Sequence, residues 1–340
     1  MKNLSVLVLA FVPFICGQNF DRNNVGVAFG PYTKYAENGK IPWFNSYSVD
    51  ELKRMLAVIN SKFTHIATYG MGVGSYNVNN PWDQADSSAL IARAAANLNR
   101  ERGNRAIDVA IGIYQSDDQN IQNAEVNHAF DAADDANSRF GGTAWGLVFL
   151  NEYIVNDATG QKVLGMIRYD KNRAHGKGLK VGTRIHVCGE ILNRNSHLYR
   201  VLSDIARESD FIMCNMYPAS DVVHGGAQKA VDAVGNFYLA VRKAFKDINS
   251  NLDVLIGETG WASEGQSFNN APNSVANLRD YWTKMGEWAS RNSVRTYMFE
   301  AMDEPYKTGS SAESHFGWWY RRSNNDEVYI EKASNREMRG

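Results

Sequence analysis

Two glutamates stand at the ends of apolar stretches, where a carboxylate is an unusual residue. Glu152 follows the run WGLVFLN, which ends in Asn151, and Glu258 follows the run VLIG. A buried charge is costly unless it has partners, so carboxylates at these places call for an explanation. Two facing carboxylates, one protonated and one ionised, can cleave a glycosidic bond. Each glutamate could instead be a helix cap or an ion-pair partner, and spacing alone leaves both interpretations open.

The apolar stretches predict eight β-strands. They begin about 38 residues apart, which leaves room for one helix and two loops between successive strands. Most are continuous apolar runs rather than strict alternations, as expected for strands buried on both faces. The predicted strands are 25–29, 64–69, 108–114, 144–151, 180–187, 210–216, 253–257 and 294–299.

Amphipathic helical patterns lie between these stretches. The clearest are Val49–Ile59, Ser87–Leu98, Ala124–Ser138, Ala227–Phe245 and Ser274–Ser290. Eight strand–helix units in a row favour an α/β fold of the (β/α)8 TIM-barrel type, in which the ends of strands four and seven face each other across one rim.

A doubly wound open sheet is the competing fold. Such a sheet would normally carry a glycine-rich phosphate loop after its first strand. The segment 70–75 (GMGVGS) follows the second predicted strand, and Ser75 replaces the last glycine of that motif. The pattern therefore gives little support to a dinucleotide site.

Composition and charge place the chain among folded proteins without a general affinity for polyanions. It has 340 residues, of which 44% are hydrophobic, and its 36 Lys and Arg nearly balance its 37 Asp and Glu. We therefore expect no nucleic-acid partner and no electrostatic membrane binding. No linker or internal repeat divides the chain, so one domain is predicted over residues 18–340, with its core at about 25–320.

The N-terminus has the pattern of a secretory signal. Lys2 precedes an apolar run from Leu4 to Ile15, and Gly17 follows it. A run of this length is too short to span a bilayer, so we expect a signal peptide over residues 1–17 and a secreted, extracellular protein. A buried first strand and a membrane anchor are the alternatives.

Other chemistries find little support in the residue pattern. The seven histidines show no paired metal-ligand spacing, and neither a G-x-S-x-G elbow nor a P-loop occurs. Past the signal, Cys188 and Cys214 remain. Two cysteines do not make a disulfide framework, and two buried free thiols are favoured over one bridge.

Four segments, in order along the chain, resemble motifs of glycoside hydrolase family 17, the β-1,3-glucanase family. Residues 255–265 (LIGETGWASEG) resemble its nucleophile signature, and Asn151-Glu152 resembles the acid/base pair of the larger clan of barrel glycosidases. Residues 214–218 (CNMYP) resemble its sixth-strand segment. Residues 299–307 (FEAMDEPYK), followed by Glu313, resemble its eighth-strand block, in the form closer to fungal and bacterial members than to plant ones.

The chain departs from the family pattern at two places. The family commonly has Pro after the Gly-Trp pair and Gly before the Asn-Glu pair, whereas this sequence has Ala262 and Leu150. Neither change removes a catalytic atom.

The resemblance implies roles for individual residues. Glu258 matches the nucleophile and Glu152 the acid/base of a retaining mechanism, and Asn151 is expected to bind the 2-hydroxyl of the reacting sugar. Glu304, Lys307 and Glu313 match a family cluster near the cleft and are expected to support the site. Considered alone, Glu304 and Lys307 would be a surface pair three residues apart.

Aromatic residues at strand ends add binding candidates. Tyr69 and Tyr217 are placed to point hydroxyls into the site, and Trp261 could form a stacking wall, with packing in the core as the alternative for each. Weaker candidates for outer sugar-binding positions are Trp43, Tyr76, Trp82, Trp318 and Trp319.

The sequence thus predicts a retaining glycoside hydrolase whose partner is β-1,3-glucan. The resemblance implies no cofactor and no metal, and nothing in the sequence calls for an obligate oligomer, so a monomer is expected. A transglycosylase with the same site, a non-catalytic glucan-binding protein and a cellulase or mixed-linkage glucanase remain alternatives. Endo or exo action would depend on the loops Gly70–Asp86 and Glu264–Pro272.

Overall fold

The computed structural model describes residues 19–37, 47–73, 87–219, 222–266, 272–307 and 311–334. Eight of its strands are β1 (Val25–Ala28), β2 (His65–Ala67), β3 (Asp108–Ile113), β4 (Ala144–Asn151), β5 (Lys180–Ile185), β6 (Phe211–Asn215), β7 (Asp253–Thr259) and β8 (Thr296–Met298). Each is parallel to the next along the chain, and β8 pairs with β1 to close the barrel. The predicted single-domain (β/α)8 fold is confirmed.

Seven α-helices lie among the described residues, one after each of the first seven strands. They are α1 (Val49–Ile59), α2 (Ile91–Arg102), α3 (Gln119–Arg139), α4 (Asp157–His175), α5 (Tyr199–Glu208), α6 (Gly226–Ile248) and α7 (Val275–Arg291). After β8 the chain forms an antiparallel pair, β9 (Trp319–Arg321) with β10 (Tyr329–Glu331). No helix of the described ranges is long and apolar enough to cross a membrane.

Helix starts follow capping chemistry where a cap is present. The side chain of Ser48 accepts the Glu51 N–H, so α1 occupies the predicted range. The Asp118 carboxylate accepts N–H groups at Asn120 and Ile121, so α3 begins five residues earlier than its hydrophobic pattern predicts. The sequence pattern did not single out α4 and α5.

Successive side chains along each strand point alternately into two apolar cores. A cluster of buried side chains from six strands fills the barrel: Ala67, Ala110, Val148, Phe211, Met213, Leu255 and Tyr297. Their neighbours along the strands, such as Val109 and Ile111 on either side of Ala110, belong to the larger core shared with the helices. Both faces of each strand are thus buried, which explains the continuous apolar runs.

The regular strand pairing breaks at the carboxyl-terminal rim. The register shifts after Val148 in β4, between Cys214 and Asn215 in β6, and after Ile256 in β7. Leu150 and Glu152 have left-handed backbones, with φ of 60° and 54°. Such irregularities re-aim side chains, and here they lie beside the predicted site residues.

The structure overturns the expectation of two free thiols. Cys188 and Cys214 form a disulfide whose Cα atoms are 5.8 Å apart, a separation that the bridge requires. The short 3-10 turn Cys188–Leu192 after β5 lies against the end of β6, and this tertiary contact brings together cysteines separated by 26 residues. Their spacing in the sequence gave no indication of it.

Candidate active site

Glu258, near the end of β7, is a buried carboxylate held by three side chains from other strands. It is 6% exposed. The hydroxyl of Tyr69 donates to its Oε1 over 3.0 Å, and the hydroxyl of Tyr217 donates to its Oε2 over 3.0 Å. Arg184 Nη1 lies 3.5 Å from Oε1, and the Arg184 side chain is fully buried in β5. Both carboxylate oxygens are therefore fixed in direction.

These contacts set the protonation of Glu258. Burial raises its pKa, the Arg184 charge opposes that effect, the nearby Glu152 charge adds to it, and the two tyrosine hydroxyls lower it. Burial and the charge of Glu258 raise the pKa of Tyr69 and of Tyr217 well above the usual value. The tyrosines therefore remain protonated donors wherever Glu258 is ionised.

Glu152, directly after β4, has a different environment. Its side chain is exposed, and its Oε1 accepts a hydrogen bond of 2.7 Å from Asn215 Nδ2. Its backbone N–H donates to the Arg184 carbonyl over 2.9 Å. One carboxyl is therefore buried among donors and the other faces solvent, so the two have different environments.

The end of β6 supplies a hydrogen-bond donor to each carboxylate. Asn215 holds Glu152, and Tyr217, two residues further on, holds Glu258. The Tyr217 ring is fixed edge-on between Phe299 and Phe316, with centroids 6.1 Å away in each case. The predicted pair is thus brought together through a strand whose Asn215 had been given no role.

The side-chain oxygen of Asn151 is available to a bound ligand. Its side chain lines the cleft, and its Oδ1 is buried with no hydrogen-bond partner among the described residues. An unpaired buried oxygen is costly. A donor on a bound ligand would satisfy it, which fits the predicted contact to a sugar hydroxyl.

The eighth-strand block forms a buried charge cluster, larger than predicted. Lys307 Nζ lies 2.6 Å from a Glu304 oxygen and 2.9 Å from a Glu300 oxygen. Burial and the Glu304 charge raise the pKa of Glu300 well above its usual range. Burial lowers the pKa of Lys307, but the two carboxylates outweigh it, and the net shift is upward. Lys307 therefore stays charged beside Glu300, whose carboxyl is readily protonated.

Glycine and loop geometry place this cluster at the cleft. A Cβ on Gly30, two residues after β1, would lie 2.2 Å from Glu304 Oε1, so any side chain there would displace this carboxylate. Glu304 and Lys307 line the cleft, and so does Glu313, which is exposed on the turn Glu313–His315. All three predicted supporting residues therefore border the same cavity.

Trp261 lies away from this cavity. Its side chain is 3% exposed, its Nε1 donates to the Pro272 carbonyl over 3.2 Å, and its ring packs on Tyr281. Trp318 and Trp319 are also buried. These rings belong to the core in the described structure, which is the packing alternative. Trp43, Tyr76 and Trp82 lie outside the described residues, as do most of loop 70–86 and part of loop 264–272.

The cleft itself has a volume of about 700 Å3. Tyr32, Tyr114, Phe299 and Tyr306 line it together with Glu258. Aromatic faces beside carboxylates and amides suit a carbohydrate, whose rings present C–H faces and whose hydroxyls hydrogen-bond. No group of three or more His, Cys, Asp or Glu suited to a metal ion occurs in the described part of the chain.

Sequence reasoning missed one residue that shapes a wall of the cleft. The carboxylate of Glu125, on α3, accepts backbone N–H groups from Met71, Val73 and Tyr114 over 2.8–3.2 Å. It therefore joins the loops after β2 and β3. Arg184 was missed as well, and its signal was a charged residue inside an otherwise buried strand.

A model of the BtgE/BtgC glycoside hydrolase domain matches residues 26–317. The match spans most of the chain, so the chain belongs to this family and is a glycoside hydrolase. The resemblance to the β-1,3-glucanase family is confirmed.

Curated relatives are similar over shorter stretches. The acidic isoform GL153 of glucan endo-1,3-β-glucosidase from Nicotiana tabacum is 30% identical over 149 residues, which are 36% of this chain and 41% of that protein. A glucan 1,3-β-glucosidase of Candida albicans is 36% identical over 76 residues, which are 21% of this chain and 24% of that protein.

Solved structures share the fold over nearly the whole chain. An endo-laminarinase from Formosa Hel1_33_131 has a TM-score of 0.67 at 17% identity, covering 88% of this chain and 83% of that one. An active-site mutant of a Rhizomucor miehei β-1,3-glucanosyltransferase, in complex with laminaritriose, has a TM-score of 0.63 at 21% identity, covering 91% and 98%. At these identities the similarity is one of fold.

Proposed function

We propose that the protein hydrolyses β-1,3-glucan with retention of anomeric configuration. The observation that carries the proposal is the contrast between Glu258, buried among three donors, and Glu152, exposed at the rim and held by Asn215. The relatives named as glucan 1,3-β-glucosidases support the substrate class.

The first step forms a covalent intermediate. An ionised Glu258 oxygen attacks the anomeric carbon while Glu152 donates its proton to the departing glycosidic oxygen. The bond to the leaving sugar breaks and an ester to Glu258 forms, so charge and protons balance. Asn151 Oδ1 accepts a hydrogen bond from the 2-hydroxyl, a contact that strengthens as positive charge develops on the ring.

The second step consumes water. Glu152, now ionised, takes a proton from a water molecule, whose oxygen attacks the same carbon and releases Glu258. The exposure of Glu152 favours water as the acceptor. If a sugar hydroxyl took the place of water, the same intermediate would give a transglycosylase, and product analysis separates the two.

The remaining residues have supporting roles. Tyr69, Tyr217 and Arg184 orient Glu258 and favour its ionised form, although burial leaves its pKa raised overall. Glu304 and Lys307 offer hydrogen-bond partners to sugar hydroxyls in the cleft, with Glu313 at its edge. The monomeric state stays a prediction from the sequence.

We also propose that the protein is secreted. Residues 1–17, which have the signal pattern, lie outside the described residues. The Cys188–Cys214 bridge supports an oxidising compartment, because disulfides persist there and are rare in the cytosol.

Reducing-sugar release from laminarin by the purified protein tests the activity. The matched variants are Glu258→Ala and Glu258→Gln, which we expect to lose at least about a thousandfold in kcat. NMR of the first product formed should show the β-anomer. A first-formed α-anomer would refute retention, and chains longer than the starting oligomer would assign the protein to the transglycosylases.

Chemical rescue distinguishes the two carboxylates. With an activated aryl β-glucoside and azide, Glu258→Ala should give an α-glucosyl azide, because azide takes the place of the nucleophile. Glu152→Ala should give the β-glucosyl azide, because azide then attacks the covalent intermediate. The reverse stereochemistry would exchange the two assignments. Laminarin binding without hydrolysis would favour a glucan-binding protein.

A further inference from the structure

A second groove lies on the outside of the barrel, between α3 and α4. Helix α2 packs on α3, and α4 packs on α5, whereas α3 and α4 leave a groove between them that Arg173 bridges, its Nη1 donating to Asn127 Oδ1 over 2.9 Å. The groove between them has a volume of about 570 Å3. Its described lining consists of Gln119, Gln122, Asn123, Val126 and Asn127 from α3, and Lys162, Gly165, Met166, Tyr169, Asp170 and Arg173 from α4.

Gly165 leaves the α4 side of the groove open. It sits inside the helix, where glycine is less favourable than alanine by about 1 kcal/mol. A Cβ at this position would meet no atom within 4 Å, so packing within the chain does not require a glycine. The missing side chain instead leaves room for something from outside.

Asp170, one turn further along the helix, is a carboxylate with no hydrogen bond from any described residue. It is 5% exposed, and in the described residues its single ionic partner is Arg173 Nη1, at 3.8 Å. Burial raises its pKa, and the Arg173 charge opposes that effect. A buried carboxylate normally accepts several hydrogen bonds. Donors on a ligand in the groove would provide them.

The other lining groups suit a neutral sugar. Tyr169 is 87% exposed, which presents a large aromatic ring to solvent beside the groove. The opposite side carries amides, among which Gln119 Nε2 donates to Asn123 Oδ1 over 2.8 Å. An aromatic face together with amides and a carboxylate can contact both the C–H faces and the hydroxyls of a sugar.

The groove adjoins the catalytic cleft at Ser116. This residue lines the cleft, its N–H donates to Gln122 Oε1 over 3.0 Å, and its carbonyl accepts Lys162 Nζ over 2.8 Å. Gln122 and Lys162 both line the groove. Ser116 and its two partners therefore form the boundary between the cleft and the groove.

We propose that the groove between α3 and α4 is a second carbohydrate-binding site, which holds the part of a β-glucan chain that extends beyond the cleft. The proposal rests on the proposed function. Asp170 accepts sugar hydroxyls, Tyr169 stacks on a sugar face, and the gap at Gly165 admits the chain. The site adds affinity for long substrates and takes no part in bond cleavage.

The test compares Tyr169→Ala with Phe237→Ala, which removes an aromatic ring that is 45% exposed on α6. We expect Tyr169→Ala to raise KM for long laminarin about tenfold, to leave kcat unchanged, and to leave kcat/KM for laminaritriose within about twofold. Phe237→Ala should match the wild type on both substrates. Equal KM values for Tyr169→Ala and wild type on long laminarin would overturn the proposal.

A second variant fills the groove without removing a contact. Gly165→Leu should favour the helix and keep the unfolding midpoint at or above that of the wild type, while it weakens binding of laminarin in affinity electrophoresis about tenfold. Unchanged laminarin mobility with a folded protein would refute the groove as a binding site. A wild type that hydrolyses no β-glucan would refute the proposed function instead, and the two failures are distinguishable.

Discussion

Arg184 is the cation that keeps the buried Glu258 ionised, and its replacement should move the pH dependence of hydrolysis. Arg184 Nη1 lies 3.5 Å from the carboxylate, and the guanidinium stacks on the Tyr69 ring with a centroid distance of 4.6 Å. In Arg184→Met, an unbranched apolar side chain keeps much of the volume and removes the charge. Burial, which raises the pKa of Glu258, is then opposed by the tyrosine hydroxyls alone among the neighbours that lower it.

The size of the effect follows from the distance. Two unit charges about 4 Å apart attract by about 4 kcal/mol at an effective dielectric constant of about 20. Protonation limits the loss, because Glu258 takes up a proton rather than remain an unpaired buried charge. Attack on the anomeric carbon needs the ionised form. The acidic limb of the kcat/KM profile should therefore move to higher pH, with a loss of about a hundredfold near pH 5 and a smaller loss near pH 8.

The assay is kcat/KM for laminarin across the pH range, with Arg321→Met as the matched control. Arg321 is another buried arginine, and it pairs with Glu51 over 2.6 Å on a different part of the barrel. Its loss should lower stability without moving the acidic limb. A profile for Arg184→Met that falls by one factor at every pH, with the limb unmoved, would refute the electrostatic reasoning and leave Arg184 a packing role.

Three further outcomes follow from individual contacts in the structure. Asn215→Ala removes the hydrogen bond that holds Glu152, so it should lower kcat on laminarin about tenfold. The same variant should keep its kcat on an aryl glucoside whose leaving group needs no proton, and equal losses on both substrates would contradict this. Glu125→Gln should lower the free energy of unfolding in urea by about 2–3 kcal/mol and raise KM, because an amide cannot accept three N–H groups. Wild-type stability would argue against a role of Glu125 in holding the two loops. Lys332→Met should lower the free energy of unfolding in urea by about 3–5 kcal/mol, because the buried Asp303 loses a cation 2.7 Å away. An unchanged unfolding midpoint would show that the pair is dispensable.

The sequence predicted the barrel from its local pattern, and the two carboxylates from that pattern together with the family motifs. Continuous apolar runs at a regular interval identify strands buried on two faces, and Glu152 and Glu258 interrupt that pattern at its rim. Asn151, Tyr69 and Tyr217 were predictable for the same reason, since they stand where strands end.

The missed residues act through contacts that no local pattern records. Arg184 lies inside β5, and its partner is a carboxylate from β7. Glu125 lies on a helix and binds loops from two other units. The disulfide likewise depends on how the turn after β5 meets β6. Helix α4 has a weaker pattern because Gly160 and Asp170 interrupt the apolar residues of its buried face.

Leu150 departs from the family pattern at a position where the backbone conformation is unusual. The family commonly has glycine at this place, and the backbone here is left-handed, the conformation that glycine adopts without strain. Leucine keeps the conformation while its side chain is 1% exposed in the core. Burial of that side chain offsets the backbone strain.

The two donors at the end of β6, Asn215 and Tyr217, together set the spacing of the carboxylates that they bind. Asn215 and Tyr217 are two residues apart, and such residues in an extended chain are separated by about 6.6 Å. Retention requires carboxyl groups roughly 5–5.5 Å apart. Because one short segment spans that gap, small deformations of the barrel move both carboxylates together. Under the proposed mechanism, the outer loops can then diverge in length and sequence, and so change which acceptor reaches the intermediate, while the stereochemistry of the reaction stays the same.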